Sequence, residues 1–283
     1  MTTSIDADAC LVALSKGDPE RYWACLFSPA SHRGALAALY AFNLEIARTR
    51  DLVSEPMIGE IRLQWWREAL TGERADEAQA HPIAAPLVAA INRYRLPLKP
   101  LLDLIDARVF DLYDDAMPTL THLEAYCGET ASAVFRLADL ILADGNAMGS
   151  ADLAGHAGVA FGMTGLLTAM PWHASRGQCY LPADVLFRYG IGSDDYGSEH
   201  EVSKLKQALA ELRQTARGHL AKARALLSSA PASAFPAYLP LVCVEPKLRA
   251  MENASYRPLS TRIEPSRLGM LFRFWLAART GRF

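Results

Sequence analysis

Apolar residues recur at three- and four-residue intervals along nearly the whole chain, and strict two-residue alternation is almost absent. The pattern predicts helices over 7–15, 19–26, 33–53, 58–70, 82–94, 99–112, 120–143, 151–170, 202–227, 237–251 and 266–278. Several ends carry their own signals. Asp18-Pro19-Glu20 places a cap, a proline and an acid in the order that starts a helix. Ser28 or Ser31 is positioned to cap the third helix, with Pro29 near its first turn. Asp144-Gly145-Asn146 and the glycines at 190 and 192 are stops. The polar run 193–201 reads as a mobile loop. Within 151–170, Gly155, Gly158, Gly162 and Gly165 share one face. Each glycine costs a helix about 1 kcal/mol against alanine. Such a stripe therefore serves either close helix packing or a smooth cavity wall.

The expected fold is all-α. The 283 residues are 51% hydrophobic and 21% charged, enough for one large core, and no Gly/Ser/Pro-rich linker divides them, so 1–283 reads as a single domain with the first ~15 residues peripheral. A formal net charge of -2 gives no drive toward nucleic acid. The five cysteines are scattered without a CxxC, as expected of reduced thiols. No secretory signal or transit peptide is evident at the N-terminus, and no apolar run reaches the ~18–20 residues that span a bilayer. The expected location is cytoplasmic, with peripheral association at the inner membrane left open.

Chemistry concentrates in two segments. In Tyr40-Ala41-Phe42-Asn43-Leu44-Glu45-Ile46-Ala47-Arg48-Thr49-Arg50-Asp51, the residues Tyr40, Leu44, Ala47 and Asp51 are spaced as one helical stripe. In the second segment, Gly165, Ala169 and His173 step by four and run into Arg176-Gly177-Gln178-Cys179-Tyr180-Leu181-Pro182. Together they resemble the squalene/phytoene synthase superfamily, whose members condense two prenyl diphosphates between two aspartate-rich helices facing a central cavity. The first family motif reads Y-A-F-x-R-x-x-D-D-x-x-D. Tyr40, Ala41, Phe42 and Asp51 match it, while Leu44, Ala47 and Arg48 replace the arginine and the first two acids. The second reads N-x-x-R-D-x-x-x-D. Gly165, Thr168, Ala169 and His173 replace its reactive residues, yet Arg176, Gly177, Tyr180, Leu181 and Pro182 keep its tail. Further segments resemble the branch of the superfamily that assists assembly of respiratory complex I, with its alphaproteobacterial relatives. These are Asp51-Leu52-Val53-Ser54-Glu55, Trp66, Tyr126 with Glu129-Thr130, Pro171-Trp172-His173, and Ala234-Phe235-Pro236-Ala237.

The resemblance implies an isoprenoid-synthase-type bundle around an apolar cavity lined by Tyr40, Leu44, Ala47, Gly162, Gly165 and Ala169. It implies a remnant diphosphate site at Asp51, His173, Arg176 and Tyr180. Ionising an allylic diphosphate takes magnesium held by several carboxylates. One retained acid is too few, and alanine offers no ligand. No catalytic residue, metal or cofactor is therefore expected, and magnesium belongs only to the alternative that the chain is a head-to-head prenyl transferase. The leading expectation is a non-catalytic assembly factor whose partners are complex I subunits or assembly intermediates. A second alternative is a protein that binds a neutral isoprenoid without turning it over.

Other features have competing readings. Pro171 should kink or end its helix. His173 is either a satisfied histidine at a helix end or part of an anion or partner site. Arg48, Arg50, Arg62 and Arg67 form either a solvated face paired with Glu45 and Glu60 or a contact for acidic surfaces. Asp106, Asp111, Asp114 and Asp115 read as a helix end in solvent, with a cation site at 111 and 115 as the alternative. Trp65 and Trp66 point to different faces, so at least one should lie near the surface. Trp172, Trp66 and Arg48 are the expected interaction residues.

Overall fold

The computed structural model describes residues 3–147, 149–192, 202–264 and 266–283. Among them there is no strand. The predicted loop 193–201 lies outside the described residues. Sixteen α-helices follow one another among the described residues. The first half contains α1 (Thr3–Gly17), α2 (Pro19–Leu26), α3 (Ala30–Ala47), α4 (Pro56–Thr71), α5 (Ala75–Ala80), α6 (Ala84–Tyr94) and α7 (Leu98–Ala107). The second contains α8 (Leu120–Cys127), α9 (Ala133–Leu142), α10 (Ala151–Thr168), α11 (Met170–Ala174), α12 (Ala183–Arg188) and α13 (Val202–Leu227). The chain closes with α14 (Phe235–Tyr238), α15 (Val244–Ala250) and α16 (Arg267–Thr280).

Two helices are apolar all round and therefore sit inside. In α3 every residue from Leu36 to Leu44 is buried, and α1, α2, α6 and α9 pack around it. α10 lies between the long amphipathic α13 and the α8–α9 pair. Its glycines divide by what they meet. A Cβ on Gly158 would stand 2.2 Å from Ser132 Cα, and one on Gly162 3.1 Å from Cys127 Sγ, so these two permit close packing. Gly155 and Gly165 meet nothing within 4 Å. The partner backbone at Gly158 is a π-helical turn, Gly128–Ser132, joining α8 to α9. Ser132 Oγ donates to the Gly155 carbonyl at 2.8 Å. His156 and His219 bring α10 and α13 together through their Nδ1 atoms at 2.9 Å, and His219 Nε2 meets Glu124 of α8 at 3.1 Å.

Asp18 caps α2 as its spacing predicts, accepting from the Arg21 amide at 3.1 Å. Asp144 and Gly145 both take positive φ after α9; a side chain on Gly145 would collide with the Tyr94 carbonyl at 2.5 Å. Neither serine caps α3. Pro29 occupies the N-cap of α3, and Ser28 Oγ donates back to the Ala24 carbonyl at 2.7 Å. The third helix is also shorter than its apolar run. It ends at Ala47, and Thr49–Leu52 tightens into a 3₁₀ turn before Glu55 extends ahead of Pro56. Asp51 therefore leaves the line of Tyr40, Leu44 and Ala47. The expected helix 237–251 is broken into α14, a 3₁₀ turn and α15, with Pro240 inside the turn.

Candidate functional site at the meeting of the two motifs

The two motif segments meet where α3 and α10 end. The backbone break expected at Pro171 occurs: α10 stops at Thr168, and Pro171 sits in the first turn of α11. The Ala169 carbonyl accepts from the Trp172 and His173 amides at 2.9 and 3.0 Å, which fixes how α11 leaves α10. This turn aims Trp172 and Arg176 at the 3₁₀ turn that carries Asp51. Arg176 Nη1 donates to Asp51 Oδ1 at 2.9 Å, and Trp172 Nε1 donates to the same oxygen at 3.3 Å. The Arg176 guanidinium lies 4.4 Å from the Trp172 ring centre, a cation–π contact. Trp172 remains 46% exposed, so it is not a core residue.

Behind this clasp lies a buried polar network. Asp111 Oδ1 accepts from Tyr126 at 2.6 Å and from Tyr180 at 2.9 Å, and its Oδ2 accepts from Arg108 at 2.9 Å. Arg108 Nη1 also donates to the Tyr126 hydroxyl at 2.6 Å, and Gln178 Nε2 donates to the Asp111 carbonyl at 3.0 Å. Burial alone would lower the Arg108 pKa, but Tyr126 and Asp111 outweigh it and hold the guanidinium charged. Burial and the Asp111 charge raise the Tyr180 phenol far above its ordinary range, so it stays a donor. His173 lies beside Tyr180 with ring centres 4.6 Å apart. Burial pushes its pKa down to about 4, against the opposing pull of Asp111 and Asp51, so the ring is neutral at physiological pH.

Asp51, His173, Arg176 and Tyr180 are thus neighbours, as the motif positions imply. Asp111 does not belong to a solvated helix end: it is 5% exposed and organises the network. The available signal was local: Arg108 stands three residues before it, and Val109, Phe110 and Leu112 surround it. The other expected lining residues divide between buried and half-buried. Tyr40 is buried under the Arg21 guanidinium, which lies 5.6 Å from its ring centre and 5.0 Å from that of Phe161. Leu44 packs against Gly17, where a Cβ would stand 2.6 Å from Leu44 Cδ2. Ala47, Gly162, Gly165 and Ala169 are half-buried. A void of about 10 Å³ beside His173, Leu166 and Tyr180 is at the lower limit for one water.

The expected interaction residues separate. Arg48 is exposed. Trp66 is buried at 4% exposure, edge-on to Phe42 with ring centres 5.1 Å apart, and it offers no surface to a partner. The half-buried tryptophan is Trp65, whose Nε1 donates to Glu77 at 2.9 Å. The basic front is largely paired: Arg50 with Asp114 at 3.7 Å, Arg62 with Glu45 at 3.9 Å, and Arg67 with Asp106.

The donor set does not fit a magnesium cluster. Ala47 and Ala169 supply no ligand, and Asp51 Oδ1 is held by two protein donors. Both Asp111 carboxylate oxygens accept from protein groups, and imidazole is a poor ligand for a hard cation. Among the described residues no three His, Cys, Asp or Glu side chains converge to hold a metal.

An apolar central helix, with two motif segments clasped at its end, defines an isoprenoid-synthase-type bundle that lacks the usual acids. The chain belongs to the squalene/phytoene synthase family, whose model matches residues 14–269. It is 34% identical over 247 residues to "NADH dehydrogenase (ubiquinone) complex I, assembly factor 6" of Rattus norvegicus, covering 87% of this chain and 74% of that protein. It is 27% identical over 205 residues to the presqualene diphosphate synthase of Sinorhizobium fredii, covering 72% of each. Among solved structures, a dehydrosqualene synthase in complex with a ligand superposes with a TM-score of 0.81. That match has 16% identity and covers 98% of this chain and 96% of the other.

Proposed function

We propose that this chain is a non-catalytic assembly factor for respiratory complex I, acting by contact with complex I subunits or assembly intermediates. The observation that carries this reading is the clasp: the retained acid of the first motif, Asp51, binds Arg176 and Trp172 of the second. In a working prenyl transferase the corresponding space must admit a diphosphate and its metal ions. Here Ala47 and Ala169 stand where such a site needs acids, and the one retained acid, Asp51, is engaged by Arg176 and by Trp172. The kinship with the rat assembly factor supports the same reading. The isoprenoid-carrier alternative requires an open apolar interior, whereas Tyr40 is packed under Arg21 and the void beside His173 is about 10 Å³.

Deletion of the gene tests the proposal. The expected result is a loss of assembled NADH:ubiquinone oxidoreductase on native gels with an unchanged polyisoprenoid profile. The purified chain, given farnesyl or geranylgeranyl diphosphate with magnesium, should release no diphosphate above background. Metal-dependent turnover, or a missing polyisoprenoid with intact complex I, would transfer the chain to the prenyl transferases.

A further inference from the structure

The last helix has two apolar faces. Met270, Phe274 and Ala277 are buried, and Phe274 meets Phe27 of α2 with ring centres 6.2 Å apart, so α16 is seated on the bundle. The opposite side carries Leu268, Phe272, Trp275 and Leu276, at 79, 60, 47 and 44% exposure. Their spacing of four, three and one makes a continuous stripe. Phe272 and Trp275 stack on each other, with ring centres 6.0 Å apart, instead of turning inward. A surface helix of a globular domain normally needs one apolar face, and a second one with two aromatics marks a contact.

Charge identifies what this face meets. The whole chain is slightly acidic, but residues 257–283 hold six arginines against one glutamate. α16 and the two residues after its C-cap contain Arg267, Arg273, Arg279 and Arg282 and no acid side chain. All four are exposed. Among the described residues none of the four forms an ion pair, whereas Arg50, Arg62 and Arg67 of the basic front are all paired with carboxylates. Arg279 instead covers the Trp275 ring at 5.8 Å. A second exposed apolar group, Leu52, Met57, Ile58 and Ile61, lies near the start of α4, but Glu55 and Glu60 stand among these residues and would repel an anionic surface. Among the described residues, only the α16 face combines apolar side chains, aromatic rings and unpaired positive charge without carboxylates. That combination suits the headgroup layer of an anionic bilayer, where apolar groups enter the acyl boundary and arginines remain with phosphates.

From this geometry we infer that α16 docks the folded protein on an anionic phospholipid surface, with Leu268, Phe272, Trp275 and Leu276 inserted and Arg267, Arg273, Arg279 and Arg282 at headgroup level. This goes beyond the assembly role and stands or falls independently of it. The helix lies flat; among the described residues no helix is long and apolar enough to cross a membrane.

The test is co-sedimentation of the full chain with vesicles of phosphatidylcholine alone and of phosphatidylcholine mixed with phosphatidylglycerol. The chain should bind the mixed vesicles only, and the binding should weaken with salt. Neutralising three arginines (Arg267→Gln, Arg273→Gln, Arg279→Gln) should weaken it on the order of 100-fold. The double variant Phe272→Ser, Trp275→Ser should abolish it. Because these side chains point outward, circular dichroism should remain unchanged. The charge variant keeps every apolar contact and serves if the double variant fails to fold. As a second measurement, brominated lipid should quench tryptophan emission in the parent and less in Trp275→Phe. No binding, equal binding to both vesicles, or binding untouched by the arginine substitutions overturns the inference. So does a dimer that these substitutions dissociate, since a second copy would then cover the face.

Discussion

Arg176 Nη1 stands 2.9 Å from Asp51 Oδ1, joining residues 125 positions apart in the chain. The two are about one-third exposed, at 31% and 29%, so solvent screens the pair and its direct contribution is small. A double-mutant cycle with Asp51→Asn and Arg176→Gln should give a coupling of about 0.5–1 kcal/mol in chemical denaturation. Coupling several times larger would mean that the clasp is a folding element and not a surface contact.

The same exposure separates function from stability at Trp172. Truncating a core tryptophan costs roughly 3–5 kcal/mol, whereas Trp172 has nearly half its surface in solvent. Trp172→Ala with Arg176→Glu should therefore lower complex I assembly in cells several-fold while melting within a few degrees of the parent. Native gels and thermal melting by circular dichroism read the two effects separately. A stable, fully functional variant would remove this segment from the proposed contact surface.

Asp111 should behave oppositely. Arg108, Tyr126 and Tyr180 all donate to it, and it is the carboxylate that balances the Arg108 charge. Asp111→Ala leaves a buried guanidinium uncompensated, and the expected cost is about 3–5 kcal/mol. Adding Arg108→Met should recover part of that loss, because the stranded charge is then gone. Urea midpoints of the single and double variants check the order.

Acid titration should show two groups working against each other. His173 has a folded pKa of about 4 against an ordinary 6.5, so the unfolded chain takes the proton first. Its contribution is complete above the unfolded value and is lost as pH falls from 6.5 to about 4. Asp139 runs the other way: burial raises its pKa from 3.8 to about 6, despite hydrogen bonds from Ser150 and Tyr238. The folded state holds that proton longer, so stability falls as pH rises through this window. Each effect has an upper size of roughly 3 kcal/mol. Relative to the parent, His173→Gln should lose stability as pH rises from about 4 to about 6, and Asp139→Asn should gain it. Denaturation midpoints across that range measure both slopes.

Two glycines on one helix should respond with opposite signs. Gly158→Ala pushes a methyl into Ser132, whose Cα lies 2.2 Å from the new atom, and should destabilise by about 1–3 kcal/mol. Gly155→Ala meets open space and should gain up to ~1 kcal/mol from helix propensity. Melting temperatures of the two variants are sufficient to tell.

Helical period alone revealed the all-α class, and Pro171 announced where α10 gives way to α11. The motif residues Asp51, His173, Arg176 and Tyr180 were legible as a set because their spacing survives even where the acids do not. What they do to one another was less visible. Asp51 is diverted from the α3 stripe by a 3₁₀ turn that no residue type demands. Asp111 has apolar neighbours and Arg108 three residues before it in the chain, but only tertiary packing brings Tyr126 and Tyr180 over it. For the adjacent tryptophans, sequence established that they diverge but not which one turns inward; packing on Phe42 selects Trp66. The second apolar face of α16 was hidden for a related reason. A helix apolar on both sides reads as simply hydrophobic until the core is seen to use only one of them.

The π-helical turn Gly128–Ser132 acts as a phase shifter. An α-helix advances each residue by a fixed angle, and the one wide turn delays that advance by about one residue. Everything downstream on α9 is thereby rotated. After this turn, α9 buries Val134, Phe135, Leu137 and Ala138 together with Asp139. Removing a single residue from this turn would leave composition and hydropathy almost untouched. It would nevertheless swing that whole face by roughly a quarter turn, carrying core side chains toward solvent. The bundle's interior is thus timed by one extra residue.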